Sequence, residues 1–294
     1  MVNERDPVAV LVEAIRAATT CLPSDVADAL RRARDLEDPL GRKQLDAILE
    51  NIEIARRERL PICQDTGVQT FYIRVGTGFP FFDRLSGWIE EAVRRATDDV
   101  PLRPNTVDLF DDRNTGDNTG REIPAITWEL VPGSGCRIDC LPKGGGSENC
   151  SALRMLSPAE GIAGIKRFVV DHVASCGGRP CPPGILGVGI GGGADIAMKL
   201  AKRSLLRPVG QPNVEPRVAQ LEQELLGLVN DTGVGPMGLG GRITALAVHI
   251  ETADRHPASL PVGLVYQCWA HRRATITIDA SGVASVVDEG GEAK

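Results

Sequence analysis

The sequence predicts an α/β fold, rich in helix and carrying a small mixed β-sheet. Three observations predict it: apolar residues recur at helical spacing through the first third, short β-rich runs lie between later helices, and glycine-rich turns separate the two. Val8, Leu11, Ile15 and Ala18 form one helical stripe, and Leu45, Ile48, Ile52 and Ala55 another, each with charges on the opposite side. The pattern changes at Leu60-Pro61, and residues 68–75 (VQTFYIRV) read as a strand, which puts Cys63 in the turn that enters it. Leu85, Trp88, Ile89, Ala92, Val93 and Ala96 trace a further amphipathic helix. Residues 101–120 are dominated by Pro, Asn, Asp, Thr and Gly and read as a loop long enough to carry function.

Strands are expected over 125–130 and 137–141, leading into Lys143-Gly144-Gly145-Gly146-Ser147-Glu148-Asn149. Ser157-Pro158-Ala159-Glu160 is a capping box with proline at the first helical position, and Ile162, Ile165, Val169 and Val173 continue that helix. Cys181 opens the next turn, followed by a strand over 184–190, a glycine run, and a helix through Leu205. Val218, Leu221, Leu225 and Leu228 write another helix, and 243–250, 261–267 and 274–279 read as three late strands, the last two flanking Cys268. No repeat and no linker is visible, so residues 1–280 are expected to form one domain, with 281–294 a mobile tail.

With 42% hydrophobic and 24% charged residues, the composition is that of a soluble globular protein. Net charge is −6, and the basic residues are scattered, which disfavours a nucleic-acid partner. No apolar run approaches the roughly 20 residues of a membrane span. Glu4, Arg5, Asp6 and Glu13 interrupt the start, so it does not read as a secretory signal, and a cytoplasmic location is expected. Reduced thiols or metal ligands, rather than disulfides, are then the expectation for the eight cysteines.

Two local readings of the cysteines and glycines are weak. Cys136, Cys140 and Cys150 suggest a zinc site, but no nearby histidine completes a ligand set, and they read as ordinary thiols. Gly187-x-Gly189-x-x-Gly192 fits a dinucleotide fingerprint between a strand and a helix, yet Glu215, at the distance of a ribose contact, sits in a proline-flanked segment. Cys63, Cys181 and Cys268 are far apart in sequence, and spacing alone says little of them.

Their neighbours say more. Cys63-Gln64-Asp65-Thr66-Gly67, the Asn114–Gly120 loop (NTGDNTG), KGGGSEN, Cys181-Pro182-Pro183-Gly184, the stretch from Asp231 to Gly241 and LPVGLVYQCWAHRRA occur in one order. Together they resemble the α subunit of the iron–sulfur-dependent (class I) fumarate hydratase and L(+)-tartrate dehydratase family, from about residue 60 to about residue 278. The resemblance implies the cluster-binding, N-terminal-type domain of class I fumarases, with Cys63, Cys181 and Cys268 holding a [4Fe–4S] cluster whose fourth iron lacks a protein thiolate. An open iron is a Lewis acid able to hold a substrate hydroxyl, so the implied reaction is reversible hydration of a small dicarboxylate.

The resemblance further assigns Arg103 to a substrate carboxylate, Gln64, Gly145 and Gly146 to substrate contact, and Asp65 and His256 to catalysis. Lys143 is a further electrostatic candidate. A guanidinium offers the bidentate fork a carboxylate prefers, and glycine N–H groups can cradle an anion. Fumarate is the expected substrate; L(+)-tartrate and mesaconate are the alternatives, since Arg255-His256-Pro257 and CWAHRR look like the tartrate enzyme. A separate β subunit, in an α₂β₂ assembly, is expected to supply the rest of the site. A non-catalytic iron–sulfur redox or iron-sensing protein is the reading from another class.

Overall fold

A computed structural model describes residues 6–287. The chain runs α1 (Pro7–Thr20), α2 (Ser24–Leu36), α3 (Pro39–Glu58), β1 (Val68–Gly76), α4 (Leu85–Asp99), β2 (Ala125–Val131) and β3 (Cys136–Lys143). It continues through a single turn α5 (Gly145–Glu148), β4 (Ala152–Leu156), α6 (Gly161–Cys176), β5 (Gly184–Gly192), α7 (Ala194–Ser204) and α8 (Pro216–Asn230). It closes with β6 (Ala245–Arg255), β7 (Leu260–Gln267), β8 (Ala274–Ile278) and β9 (Ala284–Val287). The α/β class holds, and the strands, expected in one small mixed sheet, form two. Among the described residues, 6–24, 51–145 and 272–287 gather in one compact unit and 25–50 and 146–271 in another. Because the chain passes from one unit to the other four times, neither is a continuous stretch and no linker shows in the sequence.

In the first unit the sheet order is β2-β1-β3-β8-β9, parallel between β1 and β2 and antiparallel elsewhere. Alternate residues divide its faces, as a period of two requires. Phe71, Ile73 and Val75, with Cys136, Ile138, Cys140 and Ile276, pack against Leu11, Ile15 and Ala18 of α1 and Ile89, Val93 and Ala96 of α4. The residues between them are polar: Thr275 donates to Asp139 at 2.6 Å, and Arg137 pairs with Asp139 at 2.9 Å. Asp6 caps α1, accepting from the Val8 N–H at 3.1 Å, ahead of a first-turn proline.

The expected tail needs correction in part. Asp279 accepts from the N–H groups of Ser281 and Val283 at 2.8 and 3.0 Å, closing a turn that lays β9 antiparallel on β8 with Ala284 buried. Residues 288–294 lie outside the described residues.

The second unit has the order β4-β7-β5-β6, with β5 and β6 parallel. Leu186 and Val188 of β5, with Val248, Ile250, Val262 and Leu264, bury one face against Ile165, Phe168 and Val169 of α6 and Leu221, Leu225 and Val229 of α8. The buried stripe of α8 thus ends on Val229; Leu228 is 40% exposed. Helix α7 covers the other face, and where it comes closest β5 and β7 carry glycine. A Cβ at Gly187 would stand 2.1 Å from the Ala201 carbonyl oxygen, one at Gly189 1.9 Å from that of Ala197, and one at Gly263 2.8 Å from it. The glycines of the apparent dinucleotide fingerprint let helix backbone lie directly on strand backbone. Among the described residues no helix is long and apolar enough to cross a membrane.

Candidate active site

Cys63 to Gly67 form a turn entering β1, and its carboxylate is the centre of a network in the first unit. Asp65 Oδ1 accepts from the Gly67 N–H at 2.9 Å and from Asn105 Nδ2 at 3.4 Å, while Oδ2 accepts from the Gly145 N–H at 2.9 Å. Gly67 has φ +78°, and a Cβ there would meet the Lys143 backbone at 2.8 Å, so glycine alone lets the turn seat on the end of β3. Thr66 Oγ1 accepts from the Arg103 N–H at 3.1 Å, and Asn118 Nδ2 donates to the Arg103 carbonyl at 3.2 Å. The Arg103 backbone is therefore fixed on the Cys63 turn while its side chain is exposed.

Asp65, Arg103 and Gly145 thus meet on one turn, with Gln64 exposed next to Asp65 in sequence. The glycine N–H groups were expected to cradle a substrate anion; that of Gly145 binds the Asp65 carboxylate instead. Lys143 is buried at the end of β3, opposite Val68, and Gly146 is exposed.

Three partners in this network carried no signal of their own. Thr66 and Asn105 are small polar residues common in any loop. Arg272 is 1% exposed and donates from Nη1 to the Asp65 carbonyl at 3.0 Å, while its Nε is buried with no partner among the described residues. A desolvated cation of this kind needs a negative group nearby.

In the second unit Cys181 and Cys268 come together. The Trp269 N–H donates to the Cys181 carbonyl at 3.2 Å, at the end of the sheet where β5 begins and β7 ends. Cys181 itself has φ +54°, a conformation that costs an L-residue about 1 kcal/mol or more and persists only where the surroundings impose it. They do impose it: its N–H donates to the Gly178 carbonyl at 3.1 Å, and the Met237 N–H donates to the Pro182 carbonyl at 2.8 Å. The glycine-rich segment carrying Met237 is anchored in turn by Glu37, 4% exposed, which accepts from the N–H groups of Arg242 at 3.0 Å and Ile243 at 2.6 Å. Glu37 was invisible in the sequence, being one acid among many between two helices.

His256 lies elsewhere. It is exposed in the turn joining β6 to β7, where Nδ1 accepts from the Ala258 N–H at 3.1 Å. The eight residues of β7 separate that turn from Cys268, a span of roughly 25 Å at the strand rise. Within this unit the structure does not bring His256 to the cysteine pair.

The donors fit the expected cluster. All eight cysteines are free, and Cys63, Cys181 and Cys268 are partly exposed. Burial pushes the Cys136 thiol up to about 12 and that of Cys176 to about 11, and raises Cys140 as well. A thiol that resists ionisation is a poor ligand, because iron binds the thiolate. Among the described residues no three His, Cys, Asp or Glu side chains are grouped for one metal ion; cluster cysteines bind separate irons and stand further apart. The buried, orphaned Arg272 Nε also suits a group whose three thiolates outweigh the cluster's positive charge.

Residues 8–277 match the family model for fumarate hydratase (Fumerase). A Methanocaldococcus jannaschii protein provisionally named L(+)-tartrate dehydratase subunit alpha is 46% identical over 278 residues, covering 92% of this chain and 98% of its own. The L(+)-tartrate dehydratase alpha subunits of Escherichia coli strains UTI89 and K12 are 38% and 37% identical over 264 residues, 89% of this chain and 87% of theirs. With most of the chain matched by the family model and by relatives at 38–46% identity, the chain belongs to the fumarate hydratase (Fumerase) family and is a hydro-lyase.

Proposed function

We propose that this chain is the α subunit of an L(+)-tartrate dehydratase, acting with a separate β subunit in an α₂β₂ assembly. What carries the reading is the near full-length identity to proteins of that name, 46% and 38%. It displaces fumarate as the leading substrate, which the family alone would favour. In the reaction tartrate loses one hydroxyl as water and a proton from the adjacent carbon, giving the enol of oxaloacetate.

Cys63, Cys181 and Cys268 hold a [4Fe–4S] cluster. When bound, that cluster supplies an open iron, a Lewis acid for the departing hydroxyl. Arg103, with a rigid backbone and an exposed guanidinium, pairs with one substrate carboxylate. Gln64, next to Cys63 in sequence, and Gly146, next to Gly145, are exposed and offer neutral donors. Asp65 orients the turn and Gly145 through its two oxygens. The second carboxylate and the proton acceptor are met by the β subunit.

The test is anaerobic reconstitution of the chain with its cognate β chain, followed by kinetics on L-tartrate, fumarate and mesaconate. The tartrate reading expects the highest kcat/KM for L-tartrate; a preference for fumarate would return the enzyme to fumarase. Serine at Cys63, Cys181 or Cys268 should each abolish the iron–sulfur absorbance, while Cys140→Ser keeps it. A brown Cys181→Ser protein would sink the ligand assignment.

A further inference from the structure

Leu109 and Phe110, 86% and 82% exposed, stand side by side at the tip of the 101–120 loop. The tip is built rather than loose. Asp108 Oδ1 accepts from the N–H groups of Phe110 at 2.9 Å and Asp111 at 3.0 Å, and the Asp108 N–H donates to the Arg113 carbonyl at 2.8 Å. Val107 bridges Asn114 antiparallel, the Thr115 N–H donates to the Thr106 carbonyl at 3.0 Å, and Asn114 Nδ2 donates to the Pro104 carbonyl at 2.9 Å. The chain thus spends a set of hydrogen bonds to hold two large apolar side chains in water.

Two features say what covers them. Asp108, Asp111 and Asp112 surround the tip with Arg113 as the one basic residue in the turn, so the complementary surface is an apolar pocket with a basic rim. A second copy docking tip to tip would set like charges against each other. The base of the tip is tied to Pro104, the neighbour of Arg103, so the tip projects from the segment that carries the residue assigned to a substrate carboxylate.

We infer that the Leu109–Phe110 tip is the anchor by which the β subunit docks on this chain, inserting into an apolar, basic-rimmed pocket next to the active site. The inference rests on the two-subunit reading. Apolar anchors of this size carry much of an interface's affinity.

Affinity of the cluster-loaded chain for the cognate β chain, measured by calorimetry, tests it. Leu109→Ser with Phe110→Ser should weaken binding by about 100-fold, and Asp111→Lys with Asp112→Lys should weaken it with a flatter salt dependence. Iron content and circular dichroism should match wild type, since neither residue is buried. Leu153→Ser, at an exposed apolar position on β4, is the control and should bind normally. Undiminished binding by the double serine variant, or equal loss in the control, would overturn the inference while leaving the two-subunit reading intact. No wild-type complex at all would sink both. A wild-type chain that self-associates through the tip, shown by a drop in sedimentation mass in the serine variant, would reassign the surface to a second copy.

Discussion

Glu37 is where a single atom exchange should travel furthest toward Cys181. Its Oε1 accepts from Arg242 and Ile243, and its Oε2 from Arg242 and Asp38, at 2.6–3.2 Å. Gln at this position keeps the volume but turns one acceptor into a donor. If the amide nitrogen replaces Oε1, the Ile243 N–H is orphaned; if it replaces Oε2, that of Asp38 is. The surviving bonds also lose their charge assistance. An orphaned N–H in this part-buried setting costs about 1 kcal/mol and a charge-assisted bond contributes about 1.5–3, so Glu37→Gln should loosen the segment by about 2–4 kcal/mol.

Hydrogen exchange reads this locally, which suits a chain of two units better than one global unfolding midpoint. Exchange at Arg242 and Ile243 should speed up by about 30- to 1,000-fold, and exchange over 235–240 should follow. The first unit's β8 and β9 should be unaffected. Because Met237 braces Pro182, the proposed cluster should also be lost faster in air. Unchanged protection at Ile243 in a Glu37→Gln chain would refute the reasoning.

Three further outcomes are expected. Gly189→Ala would set a Cβ 1.9 Å from the Ala197 carbonyl oxygen, so α7 must lift off the sheet; thermal unfolding should show a loss of about 1–3 kcal/mol or more, and neither protein should bind NADH in a fluorescence titration. Arg103→Ala should leave the melting temperature unchanged and lower kcat/KM of the assembled enzyme by about 30- to 1,000-fold, the effect of losing a bidentate carboxylate partner; wild-type kinetics would remove Arg103 from the site. Iodoacetamide at pH 8 should label the cluster-free native chain at Cys63, Cys181 and Cys268 and spare Cys136 and Cys176. With thiols pushed to about 12 and 11, those two are ionised at roughly one part in ten thousand and one in a thousand, and raising the pH increases the labelling. Early labelling of Cys136 in peptide mass maps would contradict this.

What the sequence disclosed, and what it hid, follows from the range of the interactions. Helices α1 and α4 and strand β1 were legible because a stripe of Leu11, Ile15 and Ala18, or of Ile89, Val93 and Ala96, is a local pattern with one geometric solution. Strand β4 was missed: Leu153, Arg154 and Met155 are good helix formers, and only the pairing of Leu153 with Gly263 and Met155 with Pro261 makes them a strand. The sort of the strands into two sheets was hidden for the same reason, since periodicity identifies a strand but not its partner. Asp65 and Arg103 were singled out through motifs, whereas Glu37 meets its partners about two hundred positions away. Arg272 was in plain view inside CWAHRRA, but Arg273 beside it is buried as well, and only the bond from Arg272 to the Asp65 carbonyl marks it out.

Gly145 and Asp65 also bear on how the labour is divided between the two proposed chains. An isolated reading of KGGGSEN makes its N–H groups free to hold a substrate anion, and an isolated reading of Asp65 makes it a base. The structure joins the two: the carboxylate answers the Gly145 N–H with one oxygen and Gly67 and Asn105 with the other, while Arg272 holds its carbonyl. A carboxylate engaged by three N–H donors is a tie, holding the turn that carries Cys63 to the loop after β3. A group that tied down serves orientation better than proton transfer. On the proposed two-subunit reading the base that takes the C–H proton is then to be sought on the β subunit, beside whatever pairs with the second carboxylate, and the α chain would contribute the thiolates, one carboxylate clamp and a preorganised turn.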